Sequence, residues 1–179
     1  MPHNVEIKAR VEDVAAFERR VAEVADGPPT TIEQCDTFLA TSRGRLKLRE
    51  FRDGSGELIH YERRDGPGPE TSEYLIARTP DAGALKGVLA RALGVRGTVR
   101  KRRRLFMRGQ TRIHVDRVEW LGNFMELEVV LNEHQTPADG RAVAEDLMRL
   151  LGVESRHLVE AAYIDLLTRR AERGEGRGP

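Results

Sequence analysis

The sequence predicts an α+β fold in which eight antiparallel strands form a sheet or barrel with helices packed outside. Three observations predict it. Short segments alternate charged with apolar residues at the period of a strand, as in Glu6-Ile7-Lys8-Ala9-Arg10, Arg45-Leu46-Lys47-Leu48-Arg49 and Arg112-Ile113-His114-Val115-Asp116. Breaks such as Asp53-Gly54-Ser55-Gly56 and Gly66-Pro67-Gly68-Pro69 separate them as hairpin turns do. The strands come in runs of four and three with helical periods between, which argues against a doubly wound parallel sheet.

Residues 5–11 read as the first strand. Val14, Phe17, Val21 and Val24 then recur at helical spacing until Gly27-Pro28-Pro29 ends the pattern. Four strands follow, over 33–41, 45–52, 57–63 and 73–78. Thr79-Pro80 predicts a capped helix with proline at its first position, carrying Ala84, Leu85, Val88, Leu89, Ala92 and Leu93 to a stop at Gly94. Three more strands span 98–108, 111–119 and 124–131, joined through Gly109-Gln110 and Trp120-Leu121-Gly122-Asn123. Trp120 in the second turn is expected to cover a barrel end as an apolar plug. Thr136-Pro137-Ala138-Asp139 opens a helix through Val143, Leu147 and Leu150. Ser155 begins a last amphipathic helix through Leu158, Ala162, Tyr163 and Leu166. A single domain is expected over 1–172, with 173–179 as a flexible C-terminal tail.

Composition bounds the function. The 179 residues, 39% hydrophobic and 33% charged, suffice for one substantial core. Thirty basic and 29 acidic residues leave a net charge of +1, so no global field favours nucleic acid or a membrane, and any electrostatic function must come from local segregation of charge. The run Arg100-Lys101-Arg102-Arg103-Arg104 is the one feature that suggests nucleic acid. Strand alternation turns Lys101 and Arg103 away from the other three, and one Trp and three Tyr offer few stacking platforms, so no nucleic-acid partner is expected. No apolar run approaches the roughly 20 residues of a membrane span. The lone Cys35 excludes an intramolecular disulfide, and His3, His60, His134 and His157 show no zinc-ligand spacing. With no signal-like segment after Met1, the cytoplasm is the expected compartment, and a monomer or homodimer the expected state.

Segregation is visible. Glu6, Asp116, Glu126 and Glu128 form an oxygen-rich set, while Lys8, Arg10, Arg45, Lys47, Arg49, Arg63, Lys101 and Arg103 form a basic one. Each alternating segment alone reads as a solvated strand face. Jointly they describe a metal-triphosphate site, because hard divalent cations select carboxylate oxygens and a phosphate chain needs several Arg and Lys partners.

Asn4-Val5-Glu6-Ile7-Lys8 resembles the Glu-x-Glu-x-Lys signature of the CYTH family, named for CyaB-like class IV adenylate cyclases and thiamine triphosphatases. Gln34-x-Asp36-Thr37-Phe38, Arg45-Leu-Lys-Leu-Arg49, Lys101-x-Arg103, the strand Ile113 to Glu119, and Leu121-Gly122-x-Phe124-x-Glu126-x-Glu128 resemble its later blocks in the same order. The resemblance implies a closed eight-stranded antiparallel barrel, the triphosphate tunnel, whose lumen binds a triphosphate with Mg2+ or Mn2+. It implies that Glu6, Glu126 and Glu128 hold metal, with Asp116 at the acidic position on the preceding strand. Lys8, Lys47, Arg49, Arg63 and Arg103 match phosphate-holding positions, with Arg45, Lys101 and Arg112 as companions and Arg10 continuing the basic set; Glu73 matches a further lumen carboxylate. Lys8, Arg49, Arg103 and His114 are the expected catalytic groups, His114 either moving protons or contacting phosphate, or only shaping the lumen. Asn4 departs from the signature: its carbonyl oxygen can coordinate but brings no charge, which predicts weaker or rearranged metal binding. The implied substrates are ATP, thiamine triphosphate or inorganic triphosphate. Attack of water on the terminal phosphorus gives hydrolysis, the favoured outcome, whereas attack of the ribose 3′-hydroxyl on the α-phosphorus gives cyclic AMP and pyrophosphate. A non-catalytic triphosphate-binding protein is the remaining reading.

Overall fold

In the computed structural model, which describes residues 4–63 and 72–174 apart from the side chains at 63, 72 and 73, the alternating segments become strands and the periodic ones helices. The order is β1 (Asn4–Arg10), α1 (Val14–Val24), β2 (Thr30–Leu39), β3 (Arg45–Glu50), β4 (Gly56–Arg63), β5 (Ser72–Thr79), α2 (Ala82–Leu93), β6 (Val95–Arg108), β7 (Thr111–Val118), β8 (Gly122–Val130), α3 (Pro137–Leu151) and α4 (Tyr163–Glu172). All strands join one antiparallel sheet in the order β1-β8-β7-β6-β2-β3-β4-β5.

The sheet curls but stays open, which corrects the closed barrel. Among the described residues β1 and β5 do not pair. Part of the outer edge of β1 is instead taken by the chain before α4: Ala9 bridges Leu158, and Val159 N donates to Lys8 O at 2.9 Å. At the other edge β5 exposes Leu75 and Ile76. The same bridge explains the last helix. Ser155 starts only one 3-10 turn, Ser155–His157, because the backbone at 158–159 bonds to a strand edge, and the helix begins at Tyr163.

The convex face is dry. Val5, Ala9, Ile113, Val115, Leu127 and Val129 point outward and are covered by Phe17 and Val21 of α1 and by Ala144, Leu147 and Leu151 of α3. Fully burying a side chain such as Leu127 stabilises by about 1.5–3 kcal/mol. Gly140 lets α3 sit this close, since a Cβ there would meet Val5 at 2.8 Å and Leu131 at 2.6 Å. Thr136 and Asp139 form the expected capping box. In α2 the cap is Asp81, not Thr79: Asp81 Oδ1 accepts from Ala84 N at 2.9 Å, while the Thr79 hydroxyl accepts from Asp81 N at 3.2 Å. Two short polar side chains compete there, and the second takes the helix.

On the concave face, Ala162, Tyr163 and Ile164 pack against Phe38, Val99, Val118 and Phe124 and fill one end. Tyr163 is thus the plug expected of Trp120. Trp120 is half-exposed in a left-handed turn conformation (φ 67°), and its carbonyl accepts from Arg170. Among the described residues no helix is long and apolar enough to cross a membrane.

Candidate functional site

The concave face encloses a cavity of about 500 Å³. Period-two alternation delivers its lining: Asn4, Glu6 and Lys8 from β1, Gln34 and Asp36 from β2, Lys47 and Arg49 from β3, Lys101 and Arg103 from β6, Arg112 and His114 from β7, Glu126 and Glu128 from β8. Ile59 and Tyr61 of β4 with Tyr74 of β5 make an uncharged wall. Ten predicted residues are therefore brought together: Glu6, Lys8, Lys47, Arg49, Lys101, Arg103, Arg112, His114, Glu126 and Glu128.

Three are not. Arg10 lies beyond the lining, its guanidinium 4.9 Å over the Phe124 ring. Arg45 turns to Asp165 of α4 at 2.6 Å, an ion pair that seats the helix. Asp116, expected beside the metal carboxylates, is fully buried and serves as a counter-ion: Lys101 Nζ donates at 2.9 Å, Arg103 at 2.7 and 2.6 Å, and the Tyr163 hydroxyl at 3.2 Å. The side chains of Arg63 and Glu73 lie outside the described residues.

Asp36 is the principal residue that sequence reasoning left without a role. Its carboxylate accepts from Lys47 at 2.8 Å and from Arg49 at 2.8 and 2.9 Å. Two buried clusters result, one centred on Asp36 and one in which Arg103 joins Asp116 to Glu126, the latter at 2.5 Å. Burial opposes charge at all three carboxylates, but Lys47 at Asp36, Lys101 at Asp116 and Arg103 at Glu126 outweigh it and hold them below the usual carboxylate range. Burial, then Arg103, pushes His114 down, so its imidazole is neutral at pH 7. Its Nδ1 stands 3.5 Å from Glu126 and its Nε2 4.0 Å from Glu128.

Lys47 carries a pH dependence. Burial pulls its ammonium down to about 8, against the upward pull of Asp36, while Arg49 stays charged. An anion that needs Lys47 protonated must lose affinity as pH rises through that value, by about tenfold per unit above it. The expected result is that inorganic tripolyphosphate, titrated calorimetrically between pH 7 and 9.5, weakens above pH 8 in the wild type and more shallowly in Lys47→Arg. Identical slopes in both proteins would contradict the assignment of Lys47.

The carboxylate wall fits a hard divalent cation. Glu6 and Glu128 stand directly opposite across β1 and β8, and like charges so placed repel unless something positive lies between. Among the described residues the nearest cation to Glu6 is Lys8 Nζ at 4.0 Å. Asn4 Nδ2 donates to Glu128 Oε1 at 2.5 Å, and Asn4 Oδ1 is buried without a donor, an acceptor free to coordinate. Glu126 is already engaged by Arg103 and Lys8, and Glu128 accepts more loosely from Arg112 Nη1, at 3.3 Å to each oxygen. Among the described residues no three His, Cys, Asp or Glu side chains group as a complete metal site. Glu6, Glu128 and Asn4 Oδ1 therefore supply a partial oxygen set of the kind Mg2+ or Mn2+ completes with phosphate oxygens and water.

The model of a family described as the CYTH domain matches residues 2–163. The chain is 27% identical over 170 residues to adenylate cyclase CyaB of Aeromonas hydrophila, spanning 89% of this chain and 85% of that protein. Its fold is similar to that of the PH1012 protein of Pyrococcus horikoshii OT3, with a TM-score of 0.81 at 24% identity over 91% of this chain and 98% of that one. A putative adenylyl cyclase from Hippeastrum, described as having a dominant triphosphatase activity, is similar with a TM-score of 0.69 at 14% identity, over 100% and 98% of the two chains.

Proposed function

Because the chain belongs to the CYTH domain family, we propose that its curled sheet holds a triphosphate chain with a divalent cation and catalyses phosphoryl transfer, with hydrolysis ahead of cyclisation. The observation that carries the reading is the division of one cavity into a ring of cations, Lys8, Lys47, Arg49, Lys101 and Arg103, facing the opposed pair Glu6 and Glu128. A surface built only for solubility has no reason to withdraw five cations, two of them buried and three partly so, into a concave face.

Little covalent work falls to the protein in such a reaction; positioning and charge do most of it. Arg49 keeps Nη1 for a phosphate oxygen, since Asp36 holds Nε and Nη2 on the other side. Lys47, Lys8 and Lys101 add point charges, and Arg103, fixed by two carboxylates, supplies a field rather than a movable contact. Held by Glu6, Glu128 and Asn4 Oδ1, Mg2+ or Mn2+ would neutralise phosphate charge and orient the attacking group. The neutral His114 lines the same cavity and can take a proton from water at an imidazole nitrogen.

Two things favour water as the nucleophile. The Hippeastrum protein pairs this fold with a dominant triphosphatase activity. Here the Glu6 side chain is 35% exposed, so water reaches that end of the carboxylate wall. Cyclisation is the second reading, supported by the Aeromonas relative.

The test is incubation with ATP, thiamine triphosphate and inorganic triphosphate, each with Mg2+ or Mn2+, while phosphate, pyrophosphate and cyclic AMP are followed separately. Phosphate release is expected, and Glu128→Gln is expected to lower it by about a hundredfold without unfolding the protein. Cyclic AMP with stoichiometric pyrophosphate would replace hydrolysis by cyclisation. Tight binding without any product would leave a triphosphate-binding protein, and silence on every substrate without binding would remove the triphosphate reading altogether.

A further inference from the structure

Tyr163 sits where two phosphate-facing lysines meet. It is the first residue of α4, is buried, and projects into the cavity floor. Lys8 Nζ lies 4.5 Å from its ring centroid and Lys101 Nζ 5.0 Å. These lysines belong to β1 and β6, which are separated in the sheet by β8 and β7, so the ring joins cations from two walls that share no hydrogen bonds. The ring itself is held on three sides. Its hydroxyl donates to Asp116 at 3.2 Å, Phe124 packs edge-on at a centroid distance of 5.0 Å, and the 158–159 bridge to β1 fixes the chain just before it.

We propose that Tyr163 is a positioning residue that holds the Lys8 and Lys101 ammonium groups ready for the phosphate chain; the inference rests on the triphosphate reading above. A lysine side chain has four rotatable bonds and loses rotamer entropy when it is fixed. An aromatic face attracts an ammonium and restricts it without consuming it, because a ring, unlike a carboxylate, leaves its N–H donors free for another acceptor. Lys8 shows the need most clearly, since its carboxylate neighbours are no nearer than 3.5 Å from Glu126 and 4.0 Å from Glu6. The competing account is that Tyr163 only fills the end of the sheet, as its packing with Phe38 and Val99 would allow.

Ring electronics separate the two accounts, because filling depends on shape and positioning depends on the negative face of the ring. Tyr163→Phe keeps both and drops only the hydroxyl, whereas pentafluorophenylalanine at position 163 keeps the shape and removes the negative face. Titration of the purified protein with inorganic tripolyphosphate in chelator is the readout, with thermal unfolding alongside. The expected result is that Tyr163→Phe binds within about threefold of the wild type and the fluorinated protein binds about tenfold or more weakly than Tyr163→Phe, at an equal melting temperature. Equal affinity of the phenylalanine and fluorinated proteins would overturn the inference while leaving the triphosphate reading intact. If Tyr163→Phe does not fold, the fluorinated residue is compared with the wild type, and unchanged binding has the same meaning. A wild type that binds no tripolyphosphate would overturn the underlying reading and this inference with it.

Discussion

Arg103→Met is expected to cost about 3–5 kcal/mol of stability at pH 7, the largest single loss the site can suffer. Arg103 is buried and makes charge-assisted bonds to Asp116 at 2.7 and 2.6 Å and to Glu126 at 2.5 Å. Methionine fills much of the same volume but leaves each of two buried carboxylates with a single lysine as its cationic partner, Lys101 for Asp116 and Lys8 for Glu126. The deficit should depend on pH with a definite sign. Folded-state pKa values held below the ordinary ones stabilise the wild type above the usual carboxylate range, and that contribution fades as pH falls through the folded values. The variant has lost the chief cation at Glu126 and, after Lys101, the second at Asp116, so its carboxylates accept protons sooner and the gap to the wild type narrows as pH is lowered from 7 toward 4. Denaturant unfolding at several pH values checks this. A deficit under 1 kcal/mol, or one that does not change with pH, would mean that the pair carries little of the fold.

Much of this arrangement was legible because strand alternation is strict. The run at 100–104 divides as the period requires: Lys101 and Arg103 face the cavity, while Arg100 reaches toward Glu119 at 4.0 Å and Arg104 toward Glu18 at 2.6 Å on the outside. What alternation cannot show is which carboxylate is spent on which cation. Asp116 and Glu126 look alike in the sequence, yet Asp116 stands directly opposite Arg103 in the β6–β7 ladder and becomes its counter-ion. Asp36 was harder to weigh, since its strand neighbours on the same face, Gln34 and Phe38, are uncharged and no alternation marks it. Its importance appears only when β2 pairs with β3 and sets it opposite Arg49.

Closure of the sheet was equally beyond the sequence. Whether β1 meets β5 depends on what competes for the edge of β1, and the competitor is a short extended piece at 158–159 that reads as helix from its apolar spacing. One backbone hydrogen bond from Val159 to Lys8 both ends that helix reading and places Tyr163 under the lysines.

Arg49→Ala is the second large effect, and it bears on binding rather than folding. Arg49 has its Nε and Nη2 on Asp36, and Lys47 remains to neutralise that carboxylate in the variant, so the fold should survive. The donors on Nη1 are those a phosphate oxygen would take, and charge-assisted hydrogen bonds of this kind are each worth about 1.5–3 kcal/mol. Removing them should weaken tripolyphosphate by about ten- to a hundredfold.

Whether the cavity is a phosphate-chain site is decided by calorimetric titration of inorganic tripolyphosphate into the wild type and Arg49→Ala, with and without Mg2+. One site per chain is expected in the wild type, tighter with Mg2+, with the stated loss in a variant that is less stable but still unfolds cooperatively well above the titration temperature. No heat in the wild type, or equal affinity in a folded Arg49→Ala, would contradict the phosphate-chain site.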